Sequence, residues 1–239
     1  MERRDFVRVC AAGLTASSAT LSATLSATHA AVAGPVTPKR YTRAKLLGPN
    51  GAPLKAASIG VNKNYVFFYP FQGTPCFLLN LGKALKPAPI NGSGGVYDWP
   101  GGSGRAQSVV AYSAICSHRL TYPTKDISFI SFRAGKSAVN KHADVIHCCS
   151  DHSQYDPAEG ARVLAGPAPQ PLAAILLQHD AASDELTAVG TLGGEVFNEF
   201  FRKYDMKLSL DMGGRARQAA GDACSVIELD NYCRQQVRC

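Results

Sequence analysis

The sequence predicts an all-β, antiparallel protein with a short helical extension toward its C-terminal end. Three observations carry this: short apolar runs recur along the chain, clusters of Gly, Pro, Ser and Asn separate them, and only one stretch takes a helical period. The first two runs are Tyr65-Val66-Phe67-Phe68-Tyr69 and Cys76-Phe77-Leu78-Leu79, with a Pro/Gly turn between them. Residues 86–105 are rich in Pro, Gly and Ser without a period, and read as a long surface loop. Ser108 to Tyr112 is the next strand. Ile127 to Phe132 alternates apolar residues with Ser, as a half-buried strand does. Val145-Ile146, Ala173 to Leu177 and Leu186 to Val189 complete the strand set. From Glu195 the period changes. Val196, Phe197, Phe200 and Phe201 recur at helical spacing, which predicts a helix over 195–204 packed on the sheet.

Composition narrows the class of function. Apolar residues make up 46% of the chain and charged residues 18%, below the globular average of about 25%, so disorder is excluded. Eight cysteines in 239 residues are too sparse for a disulfide scaffold. A chain this long buries about 70% of its unfolded surface and needs no metal to hold its core together. Any metal would therefore serve function. The formal net charge is +7, but no basic stretch is interleaved with aromatics, so nucleic acid is not expected as a partner. The excess reads as a solvated surface.

The N-terminus reads as an address. Arg3-Arg4 is followed by Phe6, and no charge appears from Val9 until Lys39. This pattern resembles a twin-arginine export signal, with Glu2 and Val7-Arg8 as departures from it. Ala31-Val32-Ala33 is a small-x-small cleavage site. The stretch before it is rich in Ser and Thr and makes a poor membrane anchor. The expected organisation is a signal peptide at 1–33 and a basic leader or linker at 34–56. A β domain at 57–193 and a C-terminal extension at 194–239 follow. The resemblance implies a protein exported folded to the periplasm, soluble or loosely membrane-associated, with its cofactor inserted beforehand.

Two short segments carry the chemistry. Cys116-Ser117-His118 and Cys149-Ser150-Asp151-His152 each place one thiolate and one imidazole close together after a strand. Soft thiolate with borderline imidazole suits zinc, copper or an iron–sulfur centre. C-x-H followed by C-x-x-H resembles the Rieske family, whose [2Fe–2S] centre has two Cys on one iron and two His on the other. Tyr155-Asp156-Pro157-Ala158-Glu159-Gly160 is similar to the turn after that family's second box. Gly166-Pro167-Ala168-Pro169-Gln170-Pro171-Leu172 is similar to its proline loop. The match spans about residues 106–176.

The resemblance implies a Rieske-like antiparallel β sandwich with a cluster-binding subdomain. It implies one [2Fe–2S] cluster per chain, held by Cys116, His118, Cys149 and His152. Cys149 is preferred over Cys148 because it stands three residues before His152. Ser153 and Tyr155 resemble the family's hydrogen-bond donors to the cluster, one residue short in register. No catalytic residue is expected, since the reaction is one-electron transfer.

The chain also departs from the family. The quinol:cytochrome c reductase branch carries an extra Cys in each box, forming a clamp disulfide, and this chain has neither. Arg119 stands where that branch has Leu at its quinol-docking tip. Thirty residues separate His118 from Cys149, nearly twice the usual spacing, and predict an extra hairpin between the boxes. The implied role is the small iron–sulfur component of an oxidoreductase, similar to the arsenite-oxidase small subunit, or a stand-alone carrier. Its redox partner would be cytochrome c or a larger oxidoreductase subunit, with quinol for a quinol:cytochrome c reductase-type subunit. The alternative from another class is an exported binding module stabilised by Cys2His2 zinc. Outside the ligands and Cys10, the remaining cysteines are 76, 148, 224, 233 and 239, and Cys224–Cys239 is the expected bridge.

Overall fold

The computed structural model describes residues 36–239, so the expected export signal lies outside the described residues. The chain begins with β1 (Lys39–Leu47), β2 (Tyr65–Phe68) and β3 (Pro75–Asn80). A hairpin of β4 (Ala88–Gly92) and β5 (Gly95–Trp99) precedes β6 (Val109–Ser113). The middle of the chain supplies β7 (Ile127–Ser128), β8 (Ile130–Arg133), β9 (Val145–Cys148), β10 (Ser153–Asp156) and β11 (Arg162–Ala165). Next come β12 (Ala174–His179), β13 (Leu186–Leu192), α1 (Phe197–Lys203) and α2 (Asp205–Met212). The chain closes with β14 (Ala223–Ser225), β15 (Ile227–Glu228), α3 (Leu229–Tyr232) and β16 (Gln235–Gln236).

Eight strands form one sheet in the order β14-β1-β13-β12-β6-β3-β2-β15, and a second sheet runs β11-β10-β9-β8. β3 and β6 are near-continuous apolar runs because both faces of the large sheet are covered. The pleat sends Cys76, Leu78, Val109 and Ala111 into one core, and Phe77, Leu79, Val110 and Tyr112 into the other. The first core is enclosed by the curl of the sheet itself. The Cys224 thiol on β14 donates to the Phe68 carbonyl at the end of β2, 3.1 Å away. The second core is shared with the small sheet through Ile130, Phe132, Ile146, Cys148 and Tyr155. Trp99 stacks over Tyr112 there, at 6.4 Å between ring centroids.

The predicted strands and the predicted helix all form, with α1 at Phe197–Lys203. Two stretches differ from expectation. Residues 39–47 of the expected leader are a strand paired with β13, Ala44 opposite Ala188. Ala44 and Leu46 point inward while the basic residues face solvent, so the run looked polar. The expected loop at 86–105 contains β4 and β5, paired Ile90 to Tyr97, and it buries Ile90, Tyr97 and Trp99. Between the two boxes β8 and β9 pair as an antiparallel hairpin, Ile130 opposite Cys148, as the long spacing predicts, and β7 pairs with β16. Among the described residues no helix is long and apolar enough to cross a membrane.

Candidate metal centre

Cys116 opens the loop that leaves β6. Its N–H donates to the Thr121 carbonyl at 2.9 Å, and its carbonyl accepts from the Leu120 N–H at 2.9 Å. These two bonds close the turn carrying Ser117, His118 and Arg119. Ser117 Oγ donates to the Gln170 carbonyl at 2.7 Å, tying this turn to the proline loop. On its other side the Lys203 ammonium donates to the Arg119 carbonyl at 2.5 Å. Ile115 packs into the aromatic cluster of Phe197, Phe200 and Phe201. The helical C-terminal region therefore braces the first loop.

The second loop is the β9–β10 hairpin, in which Ser153 pairs with Cys148. The Cys148 carbonyl accepts from the His152 N–H at 2.7 Å, and Asp151 Oδ1 accepts from the Ser153 N–H at 3.0 Å. His152 itself lies at φ +61°, in the left-handed region. Gly166, at φ +85°, packs backbone to backbone on this hairpin. A Cβ there would stand 2.6 Å from the His152 carbonyl oxygen and 2.6 Å from Ser153 Cα. Gly166→Ala is accordingly expected to cost about 2–4 kcal/mol, combining left-handed strain with overpacking. Urea unfolding would measure it.

The two loops bring Cys116, Cys148 and Asp151 together, with Sγ, Sγ and carboxylate oxygen all within 4.8 Å of one another. Asp151 Oδ2 is 3.3 Å from Cys116 Sγ and 3.0 Å from His118 Nδ1. Both thiols are fully buried, whereas His118 is exposed. Sulfur thus lies inside and imidazole outside.

Of the four ligands expected from spacing, Cys116 and His118 are brought together, and Cys149 and His152 are not. Cys149 is joined to Cys239 in a disulfide, with Cα atoms 5.7 Å apart. The His152 ring lies against His147, centroids 5.9 Å apart. The reason is the alternation of an extended strand: Cys148 faces Cys116, while His147 and Cys149 form a separate group with Cys239. The same bond replaces the expected Cys224–Cys239 bridge, and Cys224 is a buried free thiol.

The electrostatics favour metal binding through thiolate. The neighbouring Cys148 thiol, with help from Tyr155 and backbone N–H groups, outweighs burial and holds the Cys116 thiol below its ordinary range. Cys148 is pushed up by its proximity to Cys116 and by burial. Burial acts against ionisation of Asp151. The Ser153 N–H and the His118 imidazole overcome it and hold the carboxyl below its usual range.

Tyr155 supplies a further donor. Its oxygen accepts from the Ser117 N–H at 3.2 Å, and it sits 3.2 Å from Cys116 Sγ. Because Ser117 Oγ donates to Gln170, the Tyr155 proton is free to point at the sulfur. Ser153 Oγ is buried with no hydrogen-bond partner, an orphan that a bound group with acceptor atoms would satisfy. Two thiols, an imidazole, a carboxylate and waiting O–H donors fit a sulfide-containing metal centre.

Sequence spacing missed Cys148 and Asp151. The signal that could have found them is Ser153-Gln154-Tyr155-Asp156: counted back from it, the second box begins at Cys148, and the one-residue shortfall disappears.

No known family model matches the sequence. Among solved structures the chain is similar to the soluble domain of the Rieske protein II (soxF) from Sulfolobus acidocaldarius. The two are 26% identical, the match covers 65% of this chain and 82% of that chain, and the TM-score is 0.47.

Proposed function

We propose that this chain is an exported one-electron carrier holding one Rieske-type [2Fe–2S] cluster, with Cys116 and Cys148 on the inner iron and His118 on the outer. The observation that carries the reading is the convergence of two buried thiols and an outward imidazole beneath Tyr155 and the Gly166 loop. The bound cluster would supply reversible uptake of a single electron at a potential raised by imidazole ligation.

The chain's own residues set the terms of that exchange. Cys116 and Cys148 are sealed from water, which limits loss of the metal. His118 and Arg119 are exposed and offer a short approach to a partner protein. Arg119 favours an acidic protein surface over an apolar quinol tail, so cytochrome c or a larger oxidoreductase subunit fits the tip better than quinol. Export to the periplasm by the twin-arginine route rests on Arg3-Arg4 and the uncharged stretch after them.

Iron and acid-labile sulfide in equal amounts, with an EPR signal appearing on dithionite reduction, are the expected results for purified protein. A colourless protein containing zinc would overturn the reading. That second reading has its own support, since donors within 4.8 Å of one another also suit a single tetrahedral ion. Tyr155→Phe provides a finer check. Removing one charge-assisted hydrogen bond from the Cys116 sulfur should lower the midpoint potential by about 40 mV, equivalent to about 1 kcal/mol for one electron. Protein-film voltammetry reads the shift.

A further inference from the structure

We propose that Asp151 is the fourth ligand of the centre, in the place a second imidazole would occupy, so that the donor set is two thiolates, one imidazole and one carboxylate. The inference rests on the cluster reading above and deepens it. The Asp151 side chain is only 2% exposed, yet its Oδ2 lies 3.3 Å from the buried Cys116 sulfur and within 4.8 Å of Cys148 Sγ. Burying a carboxylate beside a thiolate is costly unless a cation stands between them. Among the described residues the only ion-pair partner of Asp151 is His118, whose charge depends on protonation.

The two carboxylate oxygens are also divided in role. Oδ1 accepts from the Ser153 N–H, which fixes the group, while Oδ2 faces Cys116 and His118 and is the oxygen left to bind metal. A backbone N–H that holds one carboxylate oxygen in this way orients the other toward a metal. His152 is turned the other way, exposed and against His147.

Charge counting gives the consequence. Two ferric irons, two sulfides and two thiolates sum to zero. Neutral imidazoles leave that sum unchanged, and a carboxylate makes it −1. Reduction would then run from −1 to −2. That is harder than from 0 to −1 in a two-imidazole centre and easier than from −2 to −3 in an all-cysteine one. The potential should fall between those two classes.

The test uses the full chain with its own iron, labelled with 15N-histidine, reduced with dithionite and examined by pulsed EPR. One coupled imidazole nitrogen is expected, and it should persist in His152→Ala. In Asp151→His a second nitrogen should appear and the midpoint potential should rise. Two coupled nitrogens in the unsubstituted protein, or loss of a nitrogen in His152→Ala, would overturn the assignment while leaving the cluster intact. Should Asp151→His fail to fold, the nitrogen counts of the unsubstituted protein and His152→Ala still decide. Absence of both labile sulfide and a paramagnetic signal would instead overturn the cluster reading and the ligand assignment with it.

Discussion

Cys148→Ser is expected to abolish cofactor binding, while Cys149→Ser retains it. The two residues are neighbours in sequence but point to opposite faces of the strand end. Cys148 is fully buried and within 4.8 Å of Cys116 and Asp151, whereas Cys149 reaches Cys239. Serine is a poor replacement for thiolate on a soft metal. Iron and acid-labile sulfide per chain should fall to near zero in Cys148→Ser, with the visible absorption lost. In Cys149→Ser both should stay close to the unsubstituted amounts when the protein is handled cold. The opposite pattern would restore the assignment made from C-x-x-H spacing.

The second large effect belongs to the bridge itself. Cys239→Ser removes a cross-link between residues 90 apart in sequence. The loop-entropy estimate for a ring of that size is about 4.6 kcal/mol. For a domain of this length each kcal/mol moves the midpoint by about 2–4 °C, so Tm should fall by about 9–18 °C. Calorimetry checks it. Unsubstituted protein in reductant should approach the variant, and the variant itself should be insensitive to reductant. The tail has further holds on the same region: Val237 N–H donates to the Ser128 carbonyl at 2.8 Å, and Ser137 Oγ donates to the Cys239 carbonyl at 2.8 Å. They keep the variant folded while leaving the second loop less firmly held.

Much of the architecture was legible in the chain because strand periodicity is local. The runs at 65–69, 76–79, 108–112 and 186–189 are apolar enough to declare themselves, and the Phe197, Phe200 and Phe201 spacing marks α1. β1 was missed because its outward positions are basic and only Ala44 and Leu46 are buried. The β4–β5 hairpin was missed because its turn chemistry outweighed three well-separated apolar positions, Ile90, Tyr97 and Trp99. At the candidate site, spacing placed Cys116 near His118, as the structure does. It did not group Cys148 and Asp151 with Cys116, because C-x-x-H counts residues and cannot see which face of the strand each one occupies. The Cys149–Cys239 bond was beyond local reading, since it depends on β16 crossing to β7.

Both braces of the site come from later in the chain than the loops they hold. The helix that supports Arg119 lies at 197–203, and the residues that secure Cys149 lie at 235–239. During synthesis the two donor loops therefore leave the ribosome before these two segments, held until then by their own turns and the proline loop. The second loop is thus held by a covalent tie to a distant segment, while the first is held by side-chain packing and hydrogen bonds alone.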